Sequence, residues 1–396
     1  MPSFSPARGA LILEDGRIFR GEPFGALADA EGEAVFTTCM TGYQEVATDP
    51  SFRGQIVCMT YPLIGNYGVA PGDEQSRQPW IAGMVVREYC DEPSHWRSAG
   101  TFASYLRAKG IPALHSIDTR ALTRHIRQHG AMRALLVAET AGRTDEELFD
   151  RARRAWVPGD EDVVASVTAP ANRSIDGEAA APHVVLIDCG VKENIIRSLE
   201  RRGVRVTVVP YQASAEDILA LSPDGVITSP GPGDPENADS VAIDSVRGLL
   251  DARVPYMGIC LGHQLLALAI GAKTSKLKFG HRGGNHPIKD LTTGLVYITS
   301  QNHGYQVDAG SVPVDQGWRV SQLNLNDSSV EGLEHVSLPV FSIQYHPEGS
   351  PGPQDNQYLF DRFLERVREE RAKKPSVGTS AGIMSQKAGV LEGQRA

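Results

Sequence analysis

The chain has 396 residues, 41% of them hydrophobic and 22% charged, and carries a formal net charge of −9. That length exceeds what one hydrophobic core usually fills, so two domains are expected, and the composition excludes the disordered, collagen-like and membrane-embedded classes. The negative balance, with no dense run of lysines or arginines to reverse it locally, argues against nucleic acid as a partner.

From the N-terminus, short apolar runs punctuated by Gly and Pro predict strands over residues 10–13, 18–19, 34–38, 55–59 and 81–86. Helices are predicted over 101–109 and 119–129, the second capped by Asp118 and ending near Gly130. Together these make an α+β, β-rich domain over residues 1–155. Residues 156–182, rich in Ala, Pro, Asp and Ser and lacking periodicity, read as a linker.

From residue 183 onward, buried strands at 184–188, 205–209, 225–228 and 256–259 alternate with helices at 192–202, 215–221, 241–252 and 261–270. That alternation predicts a doubly wound α/β domain with a mostly parallel sheet. Strands at 296–299 and 340–344 follow. A closing helix at 356–373 carries Leu359, Phe360, Phe363 and Val367 on its apolar face, giving a second domain over 183–374 and an unstructured tail over 375–396.

The cysteines Cys39, Cys58, Cys90, Cys189 and Cys260 are odd in number and scattered, with no Cys-x-x-Cys pair and no zinc-like spacing. Neither a disulfide framework nor a metal site is expected. The first ten residues lack the apolar core of a signal peptide, and no apolar run reaches membrane-spanning length, so a cytoplasmic location with no membrane partner is expected. The absence of a Walker loop or a dinucleotide-binding glycine motif predicts no ATP site in this chain.

Chemistry concentrates at Gly258-Ile259-Cys260-Leu261-Gly262, between a predicted strand and a predicted helix. It has the form of a nucleophile elbow with Cys in the Ser position. Glycines on both sides permit a tight turn, which sets the thiol at a helix N-terminus, where unsatisfied N–H groups and the helix dipole favour the attacking thiolate. Cys189 also ends a strand but lacks the preceding glycine and reads as a packing residue.

A thiol nucleophile needs a base, and the base an orienting group. His346 and Glu348 follow the apolar run 340–343 at the strand end where sheet ligands bind, and their i, i+2 spacing puts both on one side of an extended segment. His263, on the elbow helix, is suited to capping or bridging the elbow. His303, in the turn-like Gln301-Asn302-His303-Gly304-Tyr305, is suited to holding substrate through its backbone. The loop Ser229-Pro230-Gly231-Pro232-Gly233-Asp234-Pro235 lets backbone N–H groups approach a developing oxyanion, alongside the N–H of Leu261. Alone, each feature has a bland reading as a buried thiol, a surface turn or an ordinary loop. Their conjunction points to catalysis.

The segments Pro230-Gly231-Pro232-Gly233-Asp234-Pro235, Gly258-Ile259-Cys260-Leu261-Gly262-His263-Gln264 and Tyr345-His346-Pro347-Glu348, in that order, resemble the class I (triad) glutamine amidotransferases. The first half is similar to the N-terminal domain of the carbamoyl-phosphate synthase small subunit at Thr41-Gly42-Tyr43-Gln44-Glu45, Thr48-Asp49-Pro50-Ser51-Phe52, Tyr61-Pro62-Leu63-Ile64-Gly65-Asn66 and Asp118-Thr119-Arg120-Ala121-Leu122-Thr123. The resemblance covers nearly all of residues 10–373. It implies Cys260 as nucleophile, His346 as general base and acid, and Glu348 as the residue that orients it. It further implies that Ser51, Gly231, Gly233, Leu261, Gln264, Asn302, Gly304 and Tyr305 line a site for L-glutamine, with Ser51 supplied from the other domain. Two positions depart from the pattern: Pro230 stands where asparagine is frequent, and Tyr305 where phenylalanine is common.

By the same resemblance the products are glutamate and ammonia, and the partner is a large subunit that binds ATP and magnesium and uses bicarbonate to make carbamoyl phosphate for arginine or pyrimidine biosynthesis. A heterodimer is implied, and a higher oligomer of heterodimers stays open. Two alternatives remain at this point: a glutaminase serving a GMP or anthranilate synthetase, and a non-catalytic regulatory scaffold.

Overall fold

The computed structural model describes residues 8–178 and 180–373, so the tail predicted over 375–396 lies outside the described residues. Strands Gly9–Leu13, Ile18–Pro23, Ala113–His115, Gly83–Val85, Gln55–Met59, Ala30–Thr37 and Met132–Val137 hydrogen-bond in that order and close into a barrel. Alternate residues of its strands, among them Leu11, Leu13, Ala34, Phe36, Ile56, Cys58, Leu114, Ala134 and Leu136, meet in one buried cluster, as the period of two requires. The opposite faces of three strands pack Val35, Val57 and Met84 against Tyr43, Val46, Phe102 and Leu106 of helices Tyr43–Thr48 and Phe102–Ala108. Ala113–His115 and Met132–Val137 have no counterpart in the sequence reading. One is three residues long and the other is almost wholly buried, so neither displays the alternation that marks a half-exposed strand.

A ten-stranded sheet organises the second half. Its centre is five parallel strands in the order Arg205–Pro210, His183–Asp188, Gly225–Thr228, Tyr256–Ile259 and Val340–Ile343. Helices cover both faces. Val184 and Leu186 pack with Ile195, Leu199, Phe360 and Phe363 on one side, while Val185 and Ile187 pack with Ile218, Val246, Leu249 and Leu265 on the other.

The expectation of a mostly parallel sheet is corrected: among the described residues, four strand pairings are parallel and five antiparallel. The added strands are Val330–His335, Trp318–Asn324, Thr274–Asp290 and Val296–Val307 on one edge, and Arg173–Ile175 on the other. Consecutive strands joined by short turns must run antiparallel, whereas parallel neighbours need a crossover helix. The stretch read as a linker is partly folded, with helix Val164–Val167 burying Val164 and Val167 and Arg173–Ile175 pairing with Arg205–Pro210. No described helix is long and apolar enough to cross a membrane.

The two halves meet along the long hairpin. Lys276 Nζ lies 2.8 Å from Glu33 Oε1, Thr38 Oγ1 donates to Asn285 Oδ1 at 2.8 Å, and Phe279 stacks on Phe36 of the barrel. The carboxyl ends of the parallel strands face this junction, where a ligand crevice is expected in an open α/β sheet.

Candidate active site

Cys260 joins strand Tyr256–Ile259 to helix Leu261–Ala269 with φ 52° and ψ −104°, a conformation that costs a non-glycine residue on the order of 1–3 kcal/mol. The flanking glycines make the turn possible. A methyl group built on Gly258 would overlap the Gly262 carbonyl, and one on Gly262 would overlap the Thr228 carbonyl of the next strand. Leu261 opens the helix, so its N–H has no carbonyl one turn back within the helix. The thiol Sγ sits 3.7 Å from the Asn302 carbonyl oxygen.

His346 and Glu348 leave the neighbouring strand Val340–Ile343, and the His346 N–H is held on the Ser300 carbonyl at 2.9 Å. His346 Nδ1 lies 2.8 Å from Glu348 Oε1, and both side chains are buried. That bond fixes the ring and leaves Nε2 without a protein partner, on the side where the imidazole interacts with the Cys260 thiol. Burial opposes the imidazolium, but the Glu348 charge and hydrogen bond, with the neighbouring Cys260 thiol, lift His346 to about 10. Burial likewise opposes the Glu348 carboxylate, yet the charges of Lys192 and His346 hold it down at about 2.

Lys192 was not anticipated by the sequence reading. It precedes helix Glu193–Glu200, is fully buried, and places Nζ 3.0 Å from Glu348 Oε1 and 2.6 Å from the Gly349 carbonyl. Asn194 donates to the Glu348 carbonyl at 2.6 Å. A lysine in Val191-Lys192-Glu193 has the local look of a solvated residue, and its burial arises only from packing of distant segments.

The thiol opens into a cleft between the domains, walled on the barrel side by Glu33, Ser51 and Gln55. Ser51, Gly231, Gly233, Gln264, Asn302, Gly304 and Tyr305 all line it. The Leu261 side chain is instead packed into the core, where it crowds Gly231, so only its backbone can serve the site. Gly231 lies so close to the Cys189 carbonyl that a side chain there would collide with it, and Gly233 has φ 91°. Ser51, placed by the short helix Pro50–Phe52 of the barrel domain, has a buried hydroxyl with no protein partner. Asp49 beside it accepts from Asn302 Nδ2 at 3.2 Å, tying the barrel to the cleft wall. Gln264 Nε2 donates to the Tyr305 carbonyl at 3.0 Å.

The competing histidines have other bonds. His263 Nδ1 lies 2.8 Å from Ser342 Oγ, and complete burial lowers its pKa to about 3, so it stays neutral. His303 lies in strand Val296–Val307 and not in a turn, because residues 301–303 pair across the hairpin with 281–283. Its two ring nitrogens lie 2.7 Å from Gln301 Oε1 and from the Tyr305 carbonyl, and burial keeps its pKa well below the usual histidine range. His281, His303 and Glu331 bring ligand-type atoms within 4.8 Å of one another, a cluster unforeseen from the sequence. Glu331 accepts from Asn324 and Gln301 at 2.8 Å and His281 Nε2 lies 2.8 Å from Asp327, while His281 Nδ1, 3.6 Å from Glu331, is buried without a hydrogen bond. The network braces the strand that carries Asn302, Gly304 and Tyr305. Cys189 is fully buried, and that burial raises its thiol pKa well above the usual range, consistent with packing.

A strained, glycine-flanked cysteine beside a carboxylate-bound imidazole can form and hydrolyse a thioester. Comparison with known proteins agrees in kind. The profile of Glutamine amidotransferase class-I matches residues 185–366, and that of Carbamoyl-phosphate synthase small chain, CPSase domain, matches residues 11–136. The carbamoyl phosphate synthase small chain of Symbiobacterium thermophilum is 53% identical over 90% of this chain and 97% of its own length. That of Oceanobacillus iheyensis is 49% identical over 92% and 97%. The pyrimidine-specific small chain of Bacillus subtilis is 47% identical over 94% and 99%.

Proposed function

The chain belongs to the carbamoyl phosphate synthase small chains and is the glutamine-hydrolysing subunit of that enzyme, and from this premise we propose that Cys260, His346 and Glu348 carry the reaction. The observation that carries the assignment is the His346 ring, anchored through Nδ1 to Glu348 with Nε2 left free on the Cys260 side.

Cys260 Sγ attacks the carboxamide carbon of L-glutamine, and the electron pair of the C=O bond moves to oxygen. The N–H of Leu261 and a backbone N–H of the 229–235 loop stabilise that oxyanion, each donor lowering the barrier by about 3 kcal/mol. His346 Nε2 gives its proton to the departing nitrogen, so ammonia leaves as the thioester forms. Water then adds to the thioester carbon while His346 takes its proton, and collapse releases glutamate and the Cys260 thiolate beside the re-formed imidazolium. One water is consumed, and one ammonia and one glutamate result.

Ser51, Gly231, Gly233, Gln264, Asn302, Gly304 and Tyr305 with the Leu261 backbone hold the amino acid for this sequence of steps. The hydrolysis is complete with thiol, imidazole, carboxylate and water, so no cofactor is assigned to this chain. ATP, magnesium and bicarbonate are assigned to the large partner, which receives ammonia as the free base. With relatives of this kind spanning nine-tenths of the chain, service to another synthetase is set aside.

The test is ammonia release from glutamine by the chain alone and with the large partner. The proposal predicts turnover that rises strongly in the complex. Complex formation without any ammonia release would reduce the chain to a regulatory scaffold.

A further inference from the structure

Two lysine or arginine side chains line the cleft among the described residues, and only one is paired. Lys276 is matched to Glu33 at 2.8 Å. Arg282 is 4% exposed and forms no ion pair. Its Nη1 donates to the Phe279 carbonyl at 2.7 Å, and its Nε is buried without a partner. The carboxylate whose charge it feels most, Glu33, is already engaged by Lys276 Nζ and by Gln55 Nε2, the latter at 2.9 Å. An isolated buried charge is costly, and proteins normally pair it or bring a ligand to it.

The backbone shows where that ligand would lie. Arg282 stands directly across the hairpin from Asn302, whose carbonyl touches the Cys260 thiol. The guanidinium runs alongside Gly304, so closely that a methyl group on Gly304 would come within 3.4 Å of Nη2. A planar fork of donors thus sits beside the nucleophile, in the wall formed by Asn302, Gly304 and Tyr305. Glutamine brings one anionic group, its α-carboxylate, set back from the reacting amide by the length of its side chain.

We propose that Arg282 is the anchor for the substrate α-carboxylate and selects free α-amino acid amides over amides that lack that group. The inference rests on the glutaminase reading and adds a residue to it.

The experiment is the labelling rate of Cys260 in the full chain, read by peptide mass. One probe is 6-diazo-5-oxo-L-norleucine, a glutamine analogue with the α-carboxylate. The other is iodoacetamide, which has none. Arg282→Met should slow labelling by the analogue about 10- to 100-fold, as loss of a charge-assisted bond implies, and leave the iodoacetamide rate within roughly 3-fold. Arg282→Gln, which removes the charge but keeps a donor for the Phe279 carbonyl, should do the same. Equal slowing with both probes would make Arg282 a structural brace, and an unchanged analogue rate would remove it from the site; either overturns the proposal.

A further arm uses the unaltered chain. L-Glutamine should protect Cys260 from iodoacetamide at concentrations about 10- to 100-fold below those needed for 4-aminobutanamide, the same ammonium and amide without the carboxylate. Equal protection overturns the proposal whether or not the variants fold. Failure of the glutaminase reading looks different: iodoacetamide would label Cys260 in the unaltered chain while the glutamine analogue would not.

Discussion

Lys192 Nζ lies 3.0 Å from the same Glu348 oxygen that receives His346 Nδ1 at 2.8 Å, so one buried carboxylate is shared between two cations. The arrangement extends the Cys–His–Glu array by a fourth charged residue. Glu348 remains ionised because two positive groups offset its desolvation, and the ionised carboxylate in turn holds the imidazole in one orientation.

Lys192→Met leaves Glu348 buried with a single partner. Removing one member of a buried charge pair typically destabilises by about 3–5 kcal/mol, and that loss is expected here in urea unfolding. Glutamine hydrolysis should fall in parallel, because Glu348 loses the contact that fixes it. An unchanged unfolding midpoint with full activity would show that Lys192 does not support Glu348.

The pKa shifts give stability a definite pH dependence. His346 binds its proton more tightly in the folded chain, at about 10 against an ordinary 6.5. Its contribution is therefore whole below pH 6.5 and is lost as pH rises through 6.5 towards 10. Glu348, lowered to about 2 from 4.5, contributes fully above pH 4.5 and loses that contribution as pH falls through 4.5 towards 2. The gap in unfolding free energy between the native chain and His346→Gln should thus narrow from pH 6.5 to 10. A gap that widens over that range contradicts the sign.

Ser51→Ala removes a hydroxyl that bonds nothing in the protein. Folding stability should hardly change, while KM for glutamine should rise roughly 2- to 10-fold, the worth of one neutral hydrogen bond, with kcat preserved. Steady-state ammonia release measures both constants. A lower kcat at constant KM would move Ser51 from binding to chemistry.

Gly262→Ala forces a methyl group onto the Thr228 carbonyl at the base of the elbow. Overpacking of this kind costs about 1–3 kcal/mol, and backbone retreat would displace Cys260 and abolish hydrolysis. Calorimetry and glutaminase assay together check this. Retained activity with unaltered stability would mean that the elbow has room the geometry denies.

The candidate set Cys260, His346 and Glu348, which the structure brings together, was legible because its signals are local. Gly258, Cys260 and Gly262 lie within five residues, and His346 and Glu348 within three, so turn chemistry and strand spacing could be read directly. The parallel strands were equally legible, as runs buried on both faces and separated by amphipathic helices. Lys192 and Arg282 were not, because each is enclosed in part by segments far away in sequence, Gly349 for one and Gly304 for the other, and a charged residue carries no local mark of such burial. The antiparallel edge escaped for a related reason. Thr274–Asp290 mixes exposed, half-buried and buried residues through two register shifts, so no single period persists along it.

The most direct test of the central claim is Cys260→Ser in the complex with the large partner, assayed for carbamoyl phosphate synthesis from glutamine and from added ammonium. The account predicts that synthesis from glutamine disappears while synthesis from ammonium continues at the native rate. Persistent glutamine-dependent synthesis would contradict the assignment of Cys260 as the nucleophile.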